Sequence, residues 1–280
     1  MKILVAGSEG QLGRLVVEEL MSENEVVGLN SRQLDITNRD HIQKVVHELR
    51  PEIIINCAAY NDVDNAEKYP DLAMMVNEIG PRNIAEISNE YGITMVHIST
   101  DFVFDGNTRV PYHETSPTNP INVYGRTKLN GERFVQLICE RYIILRTSWL
   151  YGSSKKNFFN SIVNLARTHK QINVVNDQVG NPTYLPDLVS HIRILLKKQL
   201  FGLFHCSGNG YCSKYDFAKS ILKQLGIQTK VNSISSQEFN SLAKRPGFSA
   251  LSNHFLESNV EARMPNWEES LEKYVKRIKG

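Results

Sequence analysis

KILVAGSEGQLG, residues 2–13, is the stretch on which the rest of the chain turns. An apolar run ends in Gly7, Gly10 and Gly13 follow at three-residue intervals, and a helical pattern runs from Gln11 to about Ser22. Glycine lets the backbone turn tightly and approach a pyrophosphate, whose charge then faces the free N–H groups of a helix terminus. The spacing is GxxGxxG rather than GxGxxG, and strand-to-helix turns also carry glycine for steric reasons alone. Placed directly after the first apolar strand, the loop favours a dinucleotide over a plain turn.

Working outward, apolar strand patterns recur at 25–30, 52–59, 94–100 and 142–152. Helical sequence separates them: from Thr37, with Asp40 three residues on as a capping-box-like start, then around 71–90, then through Lys128. Strands that are apolar throughout and alternate with helices predict an α/β chain, a Rossmann-type doubly wound parallel sheet covered on both faces. After Gly152 the alternation loosens. Helices are expected near 157–168 and 187–198, a strand at 202–208, a helix capped by Ser213 and another starting at Asn266. The division expected is a dinucleotide-binding domain over 1–150, with the helix inside 183–200 packing back on it. A smaller α/β substrate-binding portion takes 151–182 and 201–280, and a cleft between two such lobes is a common ligand site.

The chain of 280 residues is long enough for a large core, and its 32 basic and 30 acidic residues are interspersed, for a net charge of +2. That balance argues against nucleic acid or an anionic membrane as partner. Four cysteines without CxxC spacing read as reduced thiols of a cytoplasmic protein. Met1 leads straight into strand sequence rather than a signal peptide, and no apolar run approaches the roughly 20 residues of a membrane span. The eight histidines show no metal spacing, so no metal is expected, and His97, inside a strand, reads as a satisfied core residue.

An acid that holds ribose hydroxyls is expected at the end of the second strand. That position is Asn30, followed by Ser31 and Arg32; the next acid, Asp35, lies beyond. Spacing nominates Asp35, whereas strand geometry argues against it. Without a carboxylate there, Arg32 can pair with a 2′-phosphate, which favours NADPH with NADH as the alternative.

Ser99, Thr100 and Asp101 fall at the carboxyl end of the fourth strand, where doubly wound sheets bind ligands. Tyr124 and Lys128, four apart, share a helix face. A hydroxyl, a phenol and an ammonium around one nucleotide suit hydride transfer to a ketone, whose oxygen gains negative charge and needs a proton. Moving a tyrosine from its usual pKa of about 10 to near 7 takes about 4 kcal/mol, and Lys128 with the oxidised nicotinamide is the expected source. Thr100 would orient the carbonyl oxygen.

Together GSEGQLG, LDIT (34–37), NCAAYNDVDNAE (56–67), STDFVFDG (99–106), YGRTKLNGE (124–132), RTSWLYG (146–152), DQVGNPT (177–183) and RPGFSAL (245–251) closely resemble the dTDP-4-dehydrorhamnose reductases, extended short-chain dehydrogenase/reductases, over essentially the whole chain. The resemblance implies NAD(P)H-dependent reduction of the C4 ketone of dTDP-4-dehydro-L-rhamnose for cell-surface polysaccharide. It implies Thr100, Tyr124 and Lys128 as the catalytic trio, with Ser99 beside the cofactor. Gly7, Gly10, Gln11, Leu12 and Gly13 would hold the pyrophosphate, Asp35 and Ile36 would lie against the adenine, and Cys57, Ala58, Ala59 and Tyr60 would line the cofactor. Val63, Asp101, Phe102 and Trp149 would face the sugar nucleotide, with Asn157 and Gln178 as further substrate-side candidates. Some members carry a glutamate after the G-x-P-T segment that helps hold magnesium at a dimer interface. Here that region reads YLPDL, with Pro186 and Asp187, so neither the metal nor that dimer is expected; a monomer or weak homodimer is.

Three rivals share parts of this pattern. Nucleotide-sugar dehydratases need an acid–base Asp-Glu pair after the threonine, and here Asp101 is followed by Phe102. Epimerases are disfavoured by STDFVFDG and the short chain. A non-catalytic regulatory subunit of the methionine adenosyltransferase type would not need the intact trio. A reductase of a related NDP-4-keto-6-deoxy sugar stays open.

Overall fold

The computed structural model describes residues 1–154 and 157–279. Its first half runs β1 (Lys2–Ala6), α1 (Gln11–Leu20), β2 (Glu25–Leu29), α2 (Arg39–Leu49), β3 (Ile53–Asn56), α3 (Val63–Lys68), α4 (Pro70–Met74), a π-helical turn (Met75–Ile79), α5 (Gly80–Glu90), β4 (Thr94–Thr100), α6 (Val123–Ile138) and β5 (Tyr142–Thr147). There follow β6 (Leu150–Tyr151), α7 (Phe158–Thr168), β7 (Gln171–Val175), β8 (Val179–Gly180), β9 (Thr183–Tyr184), α8 (Leu185–Lys198), β10 (Gly202–His205), β11 (Cys212–Ser213), α9 (Lys214–Leu225), β12 (Lys230–Ile234), α10 (Ser236–Phe239), α11 (His254–Asn259) and α12 (Trp267–Lys279).

Six of the strands form a parallel sheet in the order β10-β5-β4-β3-β1-β2. Successive strand residues point to opposite faces, and both faces are dry. Ile3 and Val5 pack with Val16 of α1 and Leu188 and Ile192 of α8, while Leu4 and Ala6 pack with Ile42 of α2 and Ile84 of α5. That double cover is why the strands read as continuous apolar runs, and it bears out the doubly wound sheet. The chain winds away from β1 in both directions, to β2 and to β3, and a ligand crevice opens beyond the carboxyl ends of strands at such a point.

Two local readings change. Helix α2 is capped by Asn38, whose side chain accepts from the His41 backbone N–H, not by Thr37. The Thr37 hydroxyl is instead turned to Asp35. The strand at 202–205, assigned from sequence to the second portion, pairs with β5 in the main sheet, and Phe204 packs into the same core as α8. Without β10 the edge of β5 would present unpaired backbone groups.

The rest of the later chain has its own core. Tyr151, Phe159, Phe217, Trp267 and Tyr274 pack together among α7, α9 and α12, beside the parallel pair β7–β12. Two-residue ladders, β8 with β11 and β6 with β9, carry the chain between this core and the sheet. Asp187 lies in the first turn of α8 with its carboxylate buried and bonded to the Ser270 hydroxyl. Turned inward, it does not fit an interface metal.

Candidate active site

At the carboxyl end of the sheet the β1–α1 turn is held by glycine. Gly7 has φ +76°, and a Cβ on Gly13 would sit 2.2 Å from the Gly7 carbonyl oxygen, so α1 can start this close to the strand only without side chains there. Helix α1 has no side-chain cap at Gly10, which leaves its first N–H groups directed at the cleft. The Gln11 Oε1 is buried and, among the described residues, has no partner. The bare helix terminus, with its free N–H donors, fits a dinucleotide pyrophosphate.

Two adjoining cavities meet at this turn. One, of about 290 Å³, is lined by Gly7, Asn30, Ser31, Asp35, Ile36 and Ala58 among others. The second, of about 240 Å³, is lined by Gly10, Gln11, Leu12, Cys57, Thr100 and Asp101, with Tyr124, Lys128 and Trp149 on its far wall. Gly10, Cys57, Ala59 and Asn61 border both. Thus most residues nominated from the sequence come to one continuous cleft, Ser99 included.

Others do not line it. Arg32 is exposed, and its backbone N–H is turned to Asn30 Oδ1. Tyr60 packs with Ala66, Ala73 and Val123 instead, and its backbone is clamped from both sides by the buried Asn77 of the π-helical turn (2.8 and 3.1 Å). Gly13 is buried behind the turn. Asn157 caps α7, and Gln178, 4% exposed, donates to the Ser236 hydroxyl. Phe102 stands edge-on to the Tyr124 ring, centroids 5.8 Å apart. Val63 begins α3 and is half-buried outside the cavity lining.

Helix α6 places the phenol and the ammonium. Asn122 caps it by accepting from Gly125, so Tyr124 and Lys128 fall one turn apart. The Tyr124 hydroxyl reaches Asn61 Oδ1 at 3.5 Å. Burial pushes this phenol up to about 12, against a lowering hydrogen bond with Thr100. The expected depression towards 7 is therefore not a property of the protein itself. Lys128 is 2% exposed and donates to the Ile98 carbonyl at 2.6 Å. Burial brings its pKa down to about 8, opposed by the Glu132 carboxylate one turn on.

Glu132, Arg146 and Asn61 escaped the sequence reading. Glu132, 1% exposed, takes a two-pronged ion pair from Arg146 (3.0 and 2.7 Å) and a hydrogen bond from Ser99. The four-residue step from Lys128 to Glu132 within YGRTKLNGE was the available signal; Asn61 offered none. His97 is only half satisfied. Its Nδ1 meets the Asn56 amide, while among the described residues Nε2 has no partner. On the substrate side, Asp101 accepts from the Thr100 and Ser249 hydroxyls, and burial raises its carboxyl to about 6.

A family model described as the RmlD substrate binding domain matches residues 1–279. A crystal structure of a dTDP-4-dehydrorhamnose reductase from Clostridium acetobutylicum is 42% identical and covers all of both chains, with a TM-score of 0.97. One from Bacillus anthracis, in complex with NADP, is also 42% identical over 99% of each chain, with a TM-score of 0.96. The spore coat polysaccharide biosynthesis protein SpsK of Bacillus subtilis is 36% identical over 98% of this chain and 96% of its own.

Proposed function

Because the chain belongs to the RmlD substrate binding domain family, we propose that it reduces the C4 ketone of dTDP-4-dehydro-L-rhamnose to dTDP-L-rhamnose, using NADPH or NADH. The observation that carries this reading is the cleft wall itself: hydroxyl, phenol and ammonium from Thr100, Tyr124 and Lys128 border one cavity with the glycine turn. The bound cofactor supplies hydride from its reduced nicotinamide. Thr100 orients the ketone oxygen, and Tyr124 gives that oxygen its proton. A phenol near 12 is fully protonated at neutral pH, which is the form an acid catalyst of reduction needs. Lys128, charged below about pH 8, stabilises the phenolate left behind. Phe102 follows Asp101 and cannot exchange a proton, so the second step of a dehydratase has no agent.

We assign the sheet and its covering helices to the cofactor, and the later aromatic-cored portion, without β10, to the sugar nucleotide. The reaction belongs to the cytoplasm, consistent with four free cysteines, and among the described residues no helix is long and apolar enough to cross a membrane. The chain acts as a monomer or weak homodimer.

With dTDP-4-dehydro-L-rhamnose, NADPH is consumed one for one with product; dTDP-glucose and NAD⁺ give no 4-keto-6-deoxy sugar. Reduced-nicotinamide absorbance followed with product analysis checks both. Sugar turnover without net loss of NADPH would overturn the reductase reading, because dehydratases and epimerases recycle their nucleotide.

Cofactor choice gives a further prediction. Residue 30 at the adenosine end is an amide rather than an acid, and it donates to Glu9 Oε1 at 2.9 Å, so the carboxylate beside it comes from the glycine turn. A modest NADPH preference is expected. Asn30→Asp lowers the kcat/KM ratio of NADPH to NADH by about tenfold, the scale of one like-charge contact near a surface. An unchanged ratio would remove position 30 from cofactor selection.

A further inference from the structure

The substrate side of the cleft holds a cation that the chemistry above does not use. Lys214 is the first residue of α9, just after the Ser213 cap, and its backbone N–H is tied to the Gln178 carbonyl at 3.1 Å. Its ammonium lies 5.1 Å from the ring centroids of both Trp149 and Phe158. Trp149 also lines the cleft. Among the described residues this ammonium donates no hydrogen bond. The charged groups that act on it are Arg245 and Asp101. Arg245 is already held by Asp64, 2.9 Å away, and Asp101 is engaged by two hydroxyls. Lys214 is partly exposed, so its ammonium keeps a side open to solvent through which an anionic ligand can reach it. Cation–π contacts return only about 0.5–2 kcal/mol, less than the hydrogen bonds an ammonium has in water.

We propose that Lys214, with Arg245 contributing to the field, is the anchor for the diphosphate of the nucleotide sugar. This rests on the reductase reading, and it follows from the shape of the substrate. C4 and C1 stand opposite each other across a pyranose ring. A ketone presented to Thr100 and Tyr124 therefore sends the C1 diphosphate away from the glycine turn. Trp149 marks a wall that such a diphosphate can follow, because it lines the cavity with Thr100 and Tyr124 and its ring lies 5.1 Å from the Lys214 ammonium. The two diphosphates that meet in this cleft are thereby distinguished: the cofactor's by main-chain N–H groups at α1, the substrate's by a side-chain cation.

Calorimetric titration with dTDP, thymidine and NADPH tests this. Lys214→Met is expected to weaken dTDP by about 10- to 100-fold, the scale of a charge-assisted hydrogen bond. Thymidine and NADPH should bind as to the unaltered protein, which also reports an intact fold. Lys214→Arg should keep most of the dTDP affinity, and Lys214→Gln decides the matter if the methionine variant fails to fold. Equal dTDP affinity in the unaltered protein and the neutral variants would overturn the proposal while leaving the reductase reading standing. Loss of NADPH rather than dTDP binding would overturn it too. If the unaltered protein neither bound dTDP nor consumed NADPH with the ketosugar, the reductase reading itself would fail.

Discussion

Tyr124→Phe lowers turnover by about 10²–10⁴-fold, the usual loss when a positioned general acid is removed, while NADPH binds nearly as before. Phenylalanine keeps the ring, its edge contact with Phe102 and the packing against Ala66 and Val123; only the proton donor goes. Steady-state kcat and the cofactor dissociation constant, measured on the same preparation, separate the two effects. Turnover within a few-fold of the unaltered enzyme would mean that another group protonates the ketone. The pH profile carries a second expectation. The phenol stays neutral until about pH 12 and is not the group that titrates first. Lys128 is: its charged form is lost as pH rises through about 8, because burial has lowered it from its ordinary value while Glu132 and Cys57 hold it up. The kcat/KM profile should therefore fall on the alkaline side near pH 8. A profile flat to pH 10 would remove Lys128's charge from the mechanism.

Arg146→Met destabilises the fold by about 3–5 kcal/mol, the cost of leaving one member of a buried ion pair unpaired. The Arg146 and Glu132 side chains are 5% and 1% exposed, so solvent cannot replace the lost partner. Met retains most of the packing over the Phe104 ring, where the guanidinium now lies 5.2 Å from the centroid. The double variant Glu132→Met with Arg146→Met should recover most of the loss, since apolar residues of similar volume often replace such pairs at little cost. Urea unfolding of the three proteins measures this. The pair also lies one helical turn behind Lys128, so the double variant should move the alkaline limb of the pH profile to lower pH. A single variant as stable as the unaltered protein would show that the pair is not needed to hold β5 against α6.

The sheet was readable because its inner strands are buried on both faces, and such strands are largely apolar; IIIN (53–56) and IILR (143–146) leave few other readings. The glycine turn was readable because steric demands at Gly7 and Gly13 admit no side chain. Tyr124 and Lys128 were readable because their spacing lies within one helix, where sequence distance fixes spatial distance. Position 202–205 was misplaced for the opposite reason. A short strand carries no mark of its neighbour, and only the free edge of β5 decided where it went. Arg32 follows Ser31 of the cavity wall without lining the cavity itself, a distinction that a residue's place along the chain does not carry. Glu132 with Arg146 joins two successive elements, and Asn61 with Tyr124 and Lys214 over Trp149 join elements far apart in sequence; none of these pairings lies within one element. Residue types and local periodicity, set by the chain itself, determined the fold class and nominated Thr100, Tyr124 and Lys128. The pKa shifts of Tyr124, Lys128 and Asp101, the cleft walls and the place of Lys214 beside Trp149 were decided only when packing brought together side chains that the sequence keeps apart.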